Sequence, residues 1–260
     1  MRTLSERPYI VRLNAGKRVW INEFYMVFNK GSVASEFLEN QDQFNTAFCR
    51  VWKGDIENDR LNQLIVQAGF TWKEVNLLRA YSRYMKQLRH TYSQHYIAET
   101  LIKNHTIARL LVDFFDAKFN DQVHQDKAVV LESSPRCCIE ALEDVSSLDE
   151  DKILRAFLNL ISATVRTNYY SVQANGDSLP YLTIKLFPEN IAFIPSPKPK
   201  YEMFVYSVDF EGVHLRFDKV ARGGLRWSDR KEDFRTEVLG LAKAQKVKNS
   251  VIVPAGAKGG

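Results

Sequence analysis

The 260 residues are 45% hydrophobic and 26% charged, the make-up of a folded protein with one sizeable core or two modest ones, which excludes a disordered chain. No apolar run approaches the roughly 20 residues that cross a bilayer, and the first residues lack a signal peptide's charged-then-apolar layout, so a cytoplasmic protein without a membrane partner is expected. The net charge of +5 is unevenly placed: Arg216 to Lys258 holds eleven Lys/Arg against five Asp/Glu, and the remainder sums to −1. One C-terminal segment therefore carries the attraction for anions. Cys49, Cys137 and Cys138 make no disulfide framework and no zinc spacing. The five histidines show no HExxH pattern, so no metal site is expected.

The first thirty residues alternate with strand period, Tyr9 to Leu13 and Val19 to Phe28 around a turn at Asn14-Ala15-Gly16, which predicts a hairpin. A helix is expected from Ser35, with Phe37, Phe44, Phe48, Val51 and Trp52 near one face. From Asp55 to Asn168 the pattern is helical. Leu61, Leu64, Ile65 and Ala68 form a stripe ending at Gly69, and Thr71-Trp72-Lys73-Glu74 has the form of a capping box. Further stripes run through Ile107, Leu110, Leu111, Phe114 and Phe115, and through Ile153, Leu154, Phe157, Leu158 and Ile161 after a second box at Ser147-Leu148-Asp149-Glu150.

After Gly176 strands are predicted at Tyr181 to Leu186, Met203 to Tyr206 and Val213 to Phe217, with a turn at Phe210-Glu211-Gly212. Pro195, Pro197 and Pro199 mark a stiff connection near a domain boundary. The last stretch reads as a loop from Val220 to Trp227, a helix from Asp229 to Asn249, a strand over Val251 to Val253, and a glycine-rich turn. Two glycine clusters there, Gly223-Gly224 and Gly259-Gly260, are flanked by cations. Paired glycines let a backbone bend or approach a ligand closely, and a lysine beside them can project into the space they leave. Were Arg222, Lys248 and Lys258 brought together, they would form a pocket for a small polyanion; the bland alternative is turns and solvated helix-end lysines. The final turn lacks the spacing of a phosphate-binding P-loop, and no GxGxxG occurs.

The run Arg222-Gly223-Gly224-Leu225-Arg226-Trp227, continued through Ser228 to Val238, is very similar to a signature of the large NAD-specific glutamate dehydrogenases of bacteria. So is the run from Lys248-Asn249 through Val251-Ile252-Val253-Pro254 to Ala257-Lys258-Gly259-Gly260. The similarity extends upstream through Glu57-Asn58-Asp59, Leu77 to Tyr81, Ser147 to Asp151 and Arg166 to Tyr170. The resemblance implies an α+β, multidomain fold: a small ACT-like unit over 1–52, a helical region over 53–175, and over 176–260 the start of an α/β amino-acid-dehydrogenase substrate domain, truncated at its end. It implies an enzyme that oxidatively deaminates L-glutamate to 2-oxoglutarate and ammonia with NAD. By this resemblance Lys258 is the catalytic lysine, Lys248 binds the α-carboxylate, and Arg222 stands where a lysine holds the side-chain carboxylate. Arginine there keeps the charge but offers a two-pronged contact. Gly223, Gly224, Gly259 and Gly260 would shape the floor. The catalytic aspartate and the NAD site are expected downstream of Gly260, the isolated chain is expected to be inactive, and the parent is expected to be a homo-oligomer that binds no nucleic acid. Two rival readings are a nucleic-acid- or anion-binding module using the basic segment 216–258 and a non-catalytic remnant.

Overall fold

A computed structural model describes residues 2–27, 34–121, 127–219, 221–248 and 255–260. Alternation at the front gives strands Arg2–Arg12 (β1) and Arg18–Val27 (β2), antiparallel around a 3-10 turn at Asn14–Gly16, with Tyr9 opposite Ile21 and Ile10 opposite Trp20. Gly16 takes φ +74° at the turn, which side chains resist. The helix expected from Ser35 is two helices, Ala34–Glu39 (α1) and Gln41–Lys53 (α2). Phe37, Phe44, Phe48 and Trp52 form a ladder of rings with centroids 5.1 to 6.3 Å apart, and Phe24 of β2 meets Phe48 at 6.2 Å.

A 3-10 turn at Arg60–Asn62 leads into Gln63–Ala68 (α3), which stops at Gly69 with φ +64°. The capping box then starts Trp72–Gln87 (α4): Thr71 accepts from the Glu74 N–H, and Glu74 accepts from the Thr71 N–H. Gln94–Lys103 (α5), capped by Ser93, and His105–Phe119 (α6) follow. Lys127–Glu143 (α7) lies within the stretch expected to be helical, with Pro135 inside it and no stripe or cap of its own singled out in the sequence. Before Leu148–Ala163 (α8), only half of the expected box forms. Ser147 accepts from the Glu150 N–H, but the Glu150 carboxylate turns to Lys103 at 2.7 Å and Asn104 at 3.2 Å.

The remaining elements are strands Thr164–Thr167 (β3), Leu182–Leu186 (β4), Tyr201–Tyr206 (β5), Glu211–Arg216 (β6), Ala221–Leu225 (β7), helix Phe234–Lys248 (α9) and strand Ala255–Gly259 (β8). Among the described residues they make a six-stranded sheet in the order β3-β4-β5-β6-β8-β7, parallel only between β7 and β8. Several expectations are corrected here. The proline run lies inside this sheet, because β4 and β5 on either side of it pair directly. The turn before β6 is Ser207 to Phe210, so Glu211 and Gly212 are already strand. The expected loop at 220–227 contains β7, and the expected glycine-rich turn contains β8. Glycine has weak strand propensity, but its missing side chain lets two backbones approach and pair. The last helix begins at Phe234 rather than Asp229, since Asp229 and Asp233 accept from Trp227 and Arg230 in the turns before it. Val251 to Val253 lie outside the described residues.

Leu182, Ile184, Leu186, Phe204, Tyr206, Val213 and Leu215 are buried on one face of the sheet. They join a continuous apolar cluster that runs from Ala47 to Ala242. Each Leu, Ile or Phe buried in it contributes about 2 kcal/mol. Polar ties fix the helices to the sheet: Tyr81 and Thr164 hydroxyls bond at 2.8 Å, and the Tyr206 hydroxyl donates to Glu57 at 2.8 Å. Arg79 is buried, but all three of its guanidinium nitrogens donate hydrogen bonds, to Asp59, Asn62 and Asn76. The result is a mixed helix-and-sheet protein with β8 held between β6 and β7.

Candidate functional site

The two glycine–cation runs meet as neighbouring strands. Register places Gly223 beside Ala257 and Gly224 beside Lys258 across the β7–β8 pair, and Leu215 beside Lys258 across the β6–β8 pair. Partners across a sheet share a face, so Glu202, Leu215, Lys258 and Gly224 form one row over β5, β6, β8 and β7.

Each glycine has its own reason to lack a side chain. A β-carbon on Gly223 would run into the Ala257 carbonyl. One on Gly259 would stand 2.7 Å from Leu225 Cδ2 and 3.1 Å from the Val213 carbonyl, and one on Gly260 would stand 2.7 Å from Val238 Cγ2. Gly260 also exchanges both backbone hydrogen bonds with Val213, at 2.8 and 3.0 Å. Gly224 differs, since a β-carbon there would meet only Lys258 Nζ, at an ordinary contact distance of 3.9 Å. The half-buried Lys258 thus lays its ammonium over the space that Gly224 leaves open.

Of the other site residues named from the sequence, Arg222 lies on β7 in register with Gly256, two residues before Gly224, so strand alternation gives positions 222 and 224 the same face. Lys248 is the last residue of α9. The side chains of both, and Asn249 to Pro254, lie outside the described residues. The structure therefore brings together Lys258 and the glycines of both clusters.

Neighbouring groups were not picked out in the sequence. Arg226, inside the signature, pairs with Glu237 of α9 at 2.6 Å, and Glu237 also accepts from Ser228 at 2.8 Å. Arg230 and Arg89 both bond Asp233, and hydrogen bonds from these two guanidiniums hold its carboxyl down at about 2. Arg235 makes a two-pronged ion pair with Glu202 at 2.5 and 2.7 Å, buried on both sides. Burial opposes the Arg235 charge, but Glu202 more than offsets it and raises the pKa above the ordinary arginine value. Three cations of the basic segment are thus paired with carboxylates. His214, opposite Gly259 in register, sits on the other face of the sheet from Lys258. Burial, and then Arg216, lower its pKa and favour the neutral imidazole.

An ammonium over a glycine, half-shielded on a sheet, has the chemistry to hold a small carboxylate and move a proton at an adjacent atom. The family model for the catalytic domain of bacterial NAD-glutamate dehydrogenase matches residues 138–260, and that for glutamate dehydrogenase helical motif 3 matches residues 56–121. The chain is 48% identical over its whole length to an NAD-specific glutamate dehydrogenase of Halomonas elongata and 47% to one of Pseudomonas aeruginosa. It is 45% identical, over 99% of the chain, to one of Mycobacterium tuberculosis. In each case it spans 16% of the relative's length. The chain belongs to the bacterial NAD-specific glutamate dehydrogenase family.

Proposed function

We propose that this chain is a segment of an NAD-dependent glutamate dehydrogenase that supplies the groups gripping L-glutamate and handling its protons. The observation that carries the reading is the Lys258 ammonium laid over Gly224 where the two glycine–cation runs pair. In this reading Arg222 holds the side-chain carboxylate of glutamate and Lys248 the α-carboxylate, which together orient the α-hydrogen. Lys258 stabilises charge at the reacting carbon and relays protons as water adds to 2-iminoglutarate and ammonia departs, leaving 2-oxoglutarate. Of the four glycines expected to shape the floor, Gly224 leaves the room beside Lys258, while Gly223, Gly259 and Gly260 admit the close packing of the strands around it. NAD would supply the hydride acceptor; its site is assigned outside these 260 residues, since the sequence has no GxGxxG.

The same proposal divides the chain into a small ACT-like unit over 1–52, a helical region over 53–175 and the first part of the glutamate-binding domain over 176–260. The parent is proposed to be a cytoplasmic homo-oligomer; among the described residues no helix is long and apolar enough to cross a membrane. Lys258→Ala in the full-length dehydrogenase should lower kcat by at least about a thousandfold while NAD binding is retained. A variant active to within tenfold of the parent would refute the role given to Lys258.

A further inference from the structure

The described fold contains a device whose geometry concerns the site rather than stability alone. Helix α9 starts at Phe234 and carries Lys248 as its last residue. Its first turn is gripped from two directions. Arg235 forms the buried two-pronged pair with Glu202 of β5, at 2.5 and 2.7 Å. From the end of α4, Gln87 accepts from the Arg235 N–H at 3.3 Å and donates to the Lys231 carbonyl at 3.1 Å, satisfying one of the amide groups a helix start leaves without a partner. Glu202 belongs to the same cross-strand row as Lys258, two strands away.

Taking the proposed glutamate site as given, we infer that Glu202, Arg235 and Gln87 are positioning residues that set the height and tilt of α9 over the Lys258 row and so place Lys248 for substrate. The lever is long. From Arg235 to Lys248 the helix runs about 20 Å, so a tilt of about 5° at the first turn moves the far end by about 2 Å. A misplacement of about 1 Å can cost a hundredfold in rate. An apolar contact would hold the helix against the sheet equally well but would not fix its angle, whereas a two-pronged pair has one geometry.

That contrast supplies the test, in the full-length dehydrogenase. Glu202→Leu combined with Arg235→Met keeps the volume and removes two buried charges, an exchange that is often neutral for folding. The pair variant is expected to keep its Tm while KM for L-glutamate rises and kcat falls, each about tenfold or more, with KM for NAD within twofold. Gln87→Leu, which removes the bonds to Lys231 and Arg235 together with a longer one to Glu211 at 3.4 Å, should change the same parameters in the same direction, and it decides the question should the pair variant not fold. Unchanged kinetics with L-glutamate in a folded variant would overturn the inference, leaving the three residues a structural role only. Lys258→Ala, measured beside them, separates the two ideas: if it stays active, the glutamate-site reading itself has failed.

Discussion

A β-carbon is the smallest side-chain addition a protein can suffer, and two adjacent glycines respond to it in opposite ways. At Gly223 it would strike the Ala257 carbonyl, which is backbone and cannot rotate away; at Gly224 it would reach only the flexible end of Lys258, at 3.9 Å. Gly223→Ala is therefore expected to destabilise the protein by about 1–3 kcal/mol, the usual cost of forcing atoms into a filled space. Gly224→Ala should leave the urea midpoint nearly unchanged. Equal midpoints for the two variants would contradict the register that sets Gly223 beside Ala257. The sequence singles out all four glycines and Lys258 but does not tell which glycine is needed for packing and which for room. That distinction depends on a register between residues more than thirty positions apart.

Among elements, those with a local cause were legible. The hairpin follows from alternation and Gly16, α4 from the Thr71–Glu74 box, and α6 and α8 from apolar stripes at three and four residues. Those formed by distant partners were not. Strands β7 and β8 are rich in glycine and have no strand signature of their own; each exists because the other is beside it. The Glu202–Arg235 pair joins residues whose charges, read singly, suggest a solvated surface. The start of α9 was placed too early because Asp229 looks like a cap, yet Asp233 is the carboxylate that ties this segment to α4 through Arg89. That tie has a pH signature. An Asp with an ordinary unfolded value of about 3.9 and a folded value of about 2 adds stability in full above about pH 5, and loses it as pH falls through about 2. The Tm difference between the parent and Asp233→Asn should thus be constant from about pH 7 to 5 and shrink between about pH 4 and 2. A difference that ignores pH over that window would rule out the charged contact.

At the scale of the whole molecule, Leu225 at the end of β7 is 87% exposed and Trp227 just past it 84%, and the hairpin leaves Tyr9, Ile10, Trp20 and Ile21 exposed. With the 16% span of the relatives, these surfaces fit a segment that works inside a longer polypeptide. On the proposed reading the substrate-gripping groups are here and the hydride acceptor's site is elsewhere, so the chain alone should not turn glutamate over. Glutamate-dependent appearance of NADH, measured side by side for the purified 260-residue chain and for the full-length dehydrogenase carrying it, tests that claim. The account predicts turnover by the full-length protein and none by the chain; NADH formed by the chain alone, or no glutamate-dependent turnover by the full-length protein, would contradict it.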